Sequence, residues 1–280
     1  MKKKPWQRHG SADADPAARK ERPRSYHAED EQDSGGQDWV YGLHAVEAVL
    51  KHNADSIQQL LVLQGRSDQR VLPLLERATR LNISIREVER TELDELVGGV
   101  HQGVAALCPG LKLERSEGFL EQLLQGLQHP PLLLVMDGVT DPHNLGACLR
   151  TAEAAGVDAV IVPKDKSALI TPSVRKVACG AAESVPFIAV TNLARTLKML
   201  QDDHRIWVMG AAGEAEQSIY TTDLKGPLAL VLGSEGKGMR RLTREHCDNV
   251  FSIPMAGEVS SLNVSVSAGV CLFEAVRQRK

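Results

Sequence analysis

The residues best suited to chemistry fall in three short stretches: "DPHNLGACLR" at 141–150, "LVLGSEGKGM" at 230–239 and "IPMAGEVSSLNVSVSAG" at 253–269. They offer Asn144, Arg150, Glu235 and Asn263, two amides, a guanidinium and a carboxylate. Such a set can orient a polar ligand and stabilise negative charge. It holds no nucleophile and base pair, and no His/Cys/Asp group spaced for a metal. Each stretch also has a plain structural reading. Arg150 lies off the helical stripe Leu145, Leu149, Ala152, beside the small Ala147 and Ala154; it could be a surface cation paired with Glu153 or a guanidinium held over a cleft. Gly233, Gly236 and Gly238 suit a tight strand-to-helix turn as well as a ligand's close approach to backbone. Spacing excludes a Walker loop and a dinucleotide-binding GxGxxG. Glu235 stands out in that turn, because a carboxylate there needs a partner. No residue from Val259 to Phe273 carries a charge, and Ser260, Ser261, Leu262 and Asn263 bring hydroxyls and an amide to a helix start. Packing accounts for the small residues of the helix body, Ser265, Ser267, Ala268 and Gly269, but not for the loop before it.

These stretches need a scaffold, and the alternation of short apolar runs with helical segments supplies one. From Leu132 onward the strands "LLLVM", "AVIV", "FIAV", "IWVM", "LALVL" and "VFSIPM" interleave with helices predicted from about Asn144, after Pro172, near 193–200, from about Met239, and finally to Arg277. Asp141 before Pro142 is a good helix cap, and Asn144 would cap equally well. The pattern predicts a mostly parallel sheet covered on both faces, with ligands at the carboxyl ends of its strands. The loops after Met136, Leu232 and Met255 are therefore the place for a site.

Upstream, residues 38–110 read as a small three-layer α/β domain. Its elements are a helix around His44 to His52, the strand "IQQLLVL", a helix from Asp68 to about Leu81, "ISIREV", a short helix near Thr91 to Leu96, and "GVAALC". Residues 111–131 look like a linker with a helix that stops at Pro130-Pro131, and 132–280 form the larger domain. Residues 1–37 mix charges of both signs with little to bury and read as a disordered tail. Its basic residues, such as Lys2 to Lys4, either meet RNA phosphates or are simply solvated. A formal net charge of -3 gives no whole-molecule signal for nucleic acid, so RNA binding would need local patches. Five scattered cysteines without a CxxC pair argue for reduced thiols in a cytoplasm, and no apolar run is long enough to span a bilayer.

Together the three stretches resemble the signature motifs of the SpoU (TrmH) family of RNA ribose 2'-O-methyltransferases, part of the SPOUT superfamily. The longer segments "YGLHAVEAVL", "HQGVAA", "DGVTDPHNLGACLRTAEAAGVDAVIVPKD", "VACGAAESVPF" and "MRRLTREHCD" are similar to those bacterial members that act on a guanosine of 23S ribosomal RNA. The resemblance runs from about Trp39 to Arg279. It implies an α/β fold with a trefoil-knotted C-terminal domain that binds S-adenosylmethionine, and a small N-terminal RNA-binding domain like ribosomal protein L30e. It also implies a cytoplasmic homodimer packed through the knot region. By the same resemblance Arg150 is catalytic, Asn144, Glu235 and Asn263 organise the site, and no metal takes part. Backbone around Gly233, Ile253 and Leu262 would hold the cofactor's adenosine, with Leu232, Met255 and Ser261 lining the pocket. Lys164, Lys166, Arg175, Lys176, Arg240 and Arg241 are candidates for phosphate contacts. The substrate would be 23S rRNA, free or in a large-subunit precursor. A tRNA-methylating enzyme, a non-catalytic ribosome-assembly protein and a nicotinamide-dependent enzyme are the rival readings; the last lacks its glycine fingerprint.

Overall fold

The structure, a computed structural model, describes residues 39–97, 100–109 and 111–280. The tail expected over 1–37 lies outside the described residues. The first sheet is built from β1 (Trp39–Tyr41), β2 (Gln59–Leu63), β3 (Ser84–Val88) and β4 (Val104–Leu107), in the order β1-β4-β2-β3. β2 runs parallel to β3 and antiparallel to β4. Alternate residues of its strands serve opposite faces. Leu60, Val62, Val104 and Ala106 pack under α1 (Leu43–His52) and α2 (Leu72–Arg80), while Leu61, Ala105 and Val88 pack under α3 (Arg90–Val97).

The second sheet has seven strands, all paired parallel: β5 (Glu114–Arg115), β6 (Leu132–Asp137), β7 (Ala159–Pro163), β8 (Phe187–Val190), β9 (Trp207–Ala211), β10 (Leu228–Gly233) and β11 (Asn249–Phe251). Their order is β11-β9-β10-β6-β7-β8-β5. Buried on both faces, β6, β7, β8 and β10 are near-continuous apolar runs. Leu132, Leu134 and Met136 point to the layer of α5 (Pro142–Ala154), α6 (Pro172–Ala178), α7 (Ala181–Ser184) and α10 (Val264–Arg279). Leu133 and Val135 point to the layer of α4 (Glu117–Gly126) and α8 (Leu193–Asp202). β6 and β10 pair along their whole length, so Met136 and Asp137 end beside Leu232 and Gly233. This pairing brings the first two loops of interest together.

Three details differ from expectation. The segment 111–131, read as a linker, adds the edge strand β5, and it buries Leu113 and Leu120 in the larger domain's cores. Two ladder residues are too short for a periodicity signal, which is why the sequence pattern does not reveal them. The helix expected from about Met239 is the five-residue α9 (Arg241–Glu245), and of the strand "VFSIPM" only Val250 and Phe251 lie in β11, followed by a single bridge from Ser252 to Ser218 and an irregular 253–262 segment. The two sheets also meet directly: the Asn53 side chain donates to Glu183 O (3.3 Å), and Gly180, at φ +94, lies so close that a Cβ would stand 2.7 Å from His44 O. Only glycine combines that conformation with that approach.

Candidate active site

β6 ends in Asp137 and a left-handed Gly138 (φ +79), and the chain then turns into α5. Asp141 caps that helix through its side chain, accepting from His143 N at 3.0 Å, with Pro142 in the first turn. Asn144 is thereby set one turn into α5, over the strand ends. β10 ends in Gly233, where a Cβ would fall 2.0 Å from Gly238 C, so the 233–239 loop closes on itself only because this residue is glycine. Ser234 and Gly238 exchange backbone hydrogen bonds across it (2.9 and 3.1 Å), which lifts Glu235 to the tip. α10 begins at Asn263, whose Oδ1 accepts from Ser265 N (2.9 Å) and Ser265 Oγ (2.6 Å).

These three positions meet. Asn144 Nδ2 donates to Glu235 Oε1 (3.1 Å), and Asn263 Nδ2 donates to Glu235 Oε1 (2.6 Å) and to Asn144 Oδ1 (2.9 Å). Val264 N donates to the same Glu235 oxygen (3.3 Å). One carboxylate oxygen thus gathers three donors from two other segments, and residues up to 119 apart in sequence form one network. Glu235 is exposed at a cleft, and its Oε2 makes no hydrogen bond to a described residue. The negative charge is felt beneath it: Cys148, on the buried side of α5, has its thiol pushed up to about 12, first by burial and then by Glu235. That thiol is inert at neutral pH.

Arg150 is not part of this network. Six residues along a helix from Asn144 turn it about 240° round the axis. It lies exposed at the α5–α6 corner, with Nη1 3.6 Å from Cys179 Sγ, and it makes no ion pair among the described residues, with Glu153 or any other acid. Of the expected cofactor residues, Leu232 and Gly233 close β10, and Ile253, Met255, Ser261 and Leu262 belong to the irregular run between β11 and α10. That run folds back over the loop after β9, bringing Ser260 O within 3.7 Å of where a Gly213 Cβ would be. A wall of backbone with apolar Leu232 and half-buried Ile253 behind it fits an adenosine-bearing ligand. Among the described residues no group of acids, histidines and cysteines could hold a metal ion.

A cleft of about 650 Å³ opens beside the network, lined by Asn144, Glu235 and Val264 on one side and by Lys166, Lys237 and Arg240 on another. Of the residues considered for phosphate contacts, Lys166, Arg240 and Arg241 face this cleft. Lys164 and Lys176 are exposed elsewhere. Arg175 is committed: its Nε binds the buried Glu183 carboxylate at 2.8 Å, with only 11% of its side chain exposed. Burial pushes the Glu183 carboxyl up despite that partner. Sequence reasoning missed Lys237 and Asp137 at the site. Asp137 had a signal, since an acid ending an apolar buried strand demands a partner.

With that geometry in hand, comparisons with known proteins are specific. Residues 131–273 match the family model described as SpoU rRNA Methylase family, and residues 39–113 match one described as RNA 2'-O ribose methyltransferase substrate binding. The 23S rRNA (guanosine-2'-O-)-methyltransferase RlmB of Pseudomonas putida is 60% identical over 241 residues, 86% of this chain and 96% of that protein. RlmB of Escherichia coli K12 is 56% identical over 242 residues, 86% of this chain and 98% of that protein. Among solved structures, an RNA 2'-O ribose methyltransferase superposes with TM-score 0.69 at 28% identity, covering 88% of this chain and 90% of that one. The SpoU methyltransferase AviRb from Streptomyces viridochromogenes, solved with AdoMet, does so with TM-score 0.71 at 24% identity, covering 88% and 91%.

Proposed function

The chain belongs to the SpoU rRNA methylase family, and from that premise we propose that it transfers a methyl group from S-adenosylmethionine to the ribose 2'-hydroxyl of a guanosine in 23S ribosomal RNA. The observation that carries this reading is identity of 56–62% to RlmB proteins across both sheets, not the larger one alone. A tRNA-acting enzyme or a non-catalytic assembly protein would not call for that shared extent together with a complete Asn144–Glu235–Asn263 network. No described helix is long and apolar enough to cross a membrane.

The cofactor would lie on Gly233, Ile253 and Leu262, with Leu232, Met255 and Ser261 around it. When bound it supplies a methyl group on a sulfonium centre, which leaves as a neutral thioether. The 2'-oxygen must approach that carbon in line, lose its proton and be held still. Glu235, its Oε1 locked by Asn144, Asn263 and Val264 N, presents Oε2 as a fixed acceptor for a ribose hydroxyl. Arg150 serves as a cation that stabilises the developing alkoxide or clamps a neighbouring phosphate, and not as a base.

Arg150 stands away from the network of its own chain, so its role goes with a homodimer in which a second copy brings it to the cleft. The run from Val259 to Phe273 supports this. It is uncharged, yet Val259, Val266 and Phe273 are 64%, 51% and 50% exposed, a face that a subunit contact through the knot region would cover. A knot is consistent with the path of the chain, which leaves the sheet at edge strand β11 and returns across the strand ends to pack α10 on α5 and β10. The division into an RNA-binding domain of the L30e type over 38–110 and a methyl-transfer domain beyond belongs to the same reading.

The test is methyl transfer from labelled S-adenosylmethionine to 23S rRNA and to bulk tRNA by the wild type and by Arg150→Ala. Ribose-methylated guanosine in 23S rRNA, reduced about 100-fold or more in the variant, is expected. Transfer to tRNA only, or to neither RNA in spite of cofactor binding, would overturn the reading.

A further inference from the structure

Asp137 is an unexpected residue at the mouth of the cleft. Its side chain is fully buried; Oδ2 accepts from Arg240 N at 2.7 Å, and Oδ1 has no hydrogen bond, only the Arg240 Nε at 3.4 Å. A buried carboxylate with an unsatisfied oxygen is held in place by the cation above it. Arg240 is held in return: Nε lies on Asp137, Nη2 donates to Asp165 O at 3.2 Å, and the guanidinium rests where a Gly138 Cβ would be 3.4 Å from Nη2. Two edges of the fork are thus committed to the protein, and Nη1 has no partner among the described residues, on a side chain that lines the cleft and is 42% exposed.

Three cations, Arg240, Lys166 and Lys237, line the cleft around this edge. Of the carboxylates there, Asp137 is buried under Arg240, Asp141 caps α5, and Glu235 keeps its charge but has Oε1 held by the asparagine network. Lys166 and Lys237 line the same cleft, are exposed, and have no acidic partner among the described residues. A fixed guanidinium edge flanked by two mobile ammonium groups is a receptor for a tetrahedral oxyanion. Resting on the methyl-transfer reading above, we infer that this is a phosphate subsite: Arg240 grips an RNA backbone phosphate beside the target ribose, Lys166 and Lys237 share its charge, and Asp137 is the positioning residue that fixes Arg240. A phosphate held here sets the ribose against Glu235 and the cofactor wall, whereas a free cation would add attraction without register.

The carboxylate of the cofactor's methionine part is an anion of similar chemistry, so RNA and cofactor binding must be read separately. The variants are Arg240→Ala, Arg240→Lys, Asp137→Asn and Lys166→Ala, each measured for rRNA affinity against salt, for S-adenosylmethionine affinity, and for kcat and KM. Arg240→Ala is expected to raise KM for rRNA about tenfold and to lower the slope of log K against log salt by about one, with cofactor affinity unchanged. Arg240→Lys keeps the slope and still raises KM, because the charge survives and the fork does not. Asp137→Asn can still accept from Arg240 N, and it raises KM less than Arg240→Ala with kcat retained. Lys166→Ala lowers the slope by about one and leaves the Asp137 pair intact, so the test stands if Arg240→Ala fails to fold. A wild-type KM in Arg240→Lys together with a wild-type salt slope in Lys166→Ala, or loss of cofactor affinity in place of RNA affinity, would overturn the inference. A wild type that binds rRNA with these salt effects but transfers no methyl group would instead remove the methyl-transfer reading and leave the phosphate subsite standing.

Discussion

At the scale of single residues, the network on Glu235 is the feature most sensitive to exchange. Asn263→Asp replaces a donor 2.6 Å from Glu235 Oε1 with a second carboxylate. Loss of that bond and like-charge repulsion should together cost about 1–3 kcal/mol. A lower unfolding temperature and methyl transfer reduced about 100-fold are expected, the latter because Glu235 no longer holds its aim. Adding Glu235→Gln to that variant restores a donor–acceptor pair, so thermal unfolding recovers while transfer does not; equal recovery of both would mean that the carboxylate itself has no part in the reaction. That Glu235 needed a partner was legible in the sequence, because a charge in a glycine turn after a buried strand cannot stand alone. Its partners were not, since they lie 91 and 28 residues away and are brought in by the pairing of β6 with β10 and by the packing of α10 on α5. The Asp137–Arg240 pair escaped for the same reason, at a separation of 103 residues. Arg150 is the opposite case: the 100° step of a helix puts it on another face from Asn144, and that arithmetic was available from the start.

At the scale of elements, strands and helices of ordinary length were readable from period alone, and the short or irregular pieces were not. β6, β7, β8 and β10 are apolar runs between turn residues, and α5 carries its cap and proline in the sequence. β1, β5 and α7 span two to four residues, too few for any period to register, and tertiary pairing alone makes them. α10 shows how such an element is fastened. Its low amphipathicity leaves the end to polar contacts: Arg279 donates to Leu224 O (3.2 Å), Pro130 O (3.2 Å) and Pro131 O (3.0 Å), and Gln278 bridges Leu224 N and Thr222 O. One turn earlier Glu274 is gripped by Arg277, then by Gln278, which holds its carboxyl at about 2 against an ordinary 4.5. A depressed carboxyl contributes stability above its unfolded pKa and loses it as pH falls through the folded value. Denaturant unfolding should therefore show stability slipping from pH 4.5 toward about 2. In Glu274→Gln this part of the slope should vanish while neutral-pH stability drops modestly; an unchanged acid limb would mean that Glu274 is not one of the groups driving it.

At the scale of the whole molecule, a single copy holds the network and the cations of the proposed phosphate subsite around one cleft and Arg150 away from it. If catalysis needs all of them, the working unit is two chains, each lending its arginine to the other's cleft. A mixing experiment separates this from action within one chain. Arg150→Ala keeps an intact network and lacks the cation, while Asn263→Ala keeps the cation and lacks the network; both alone should be close to inactive. In a mixed dimer the Arg150→Ala subunit receives Arg150 from its partner, so one of the two sites is whole. Pure heterodimer, isolated by two different tags, should then recover about half of the wild-type rate, and an equimolar statistical mixture about a quarter. If Arg150 acts within its own chain, neither site of the heterodimer is complete and mixing recovers nothing. Recovery that depends on protein concentration would further tie activity to association, because dilution below the dimer affinity would separate each arginine from the cleft it serves.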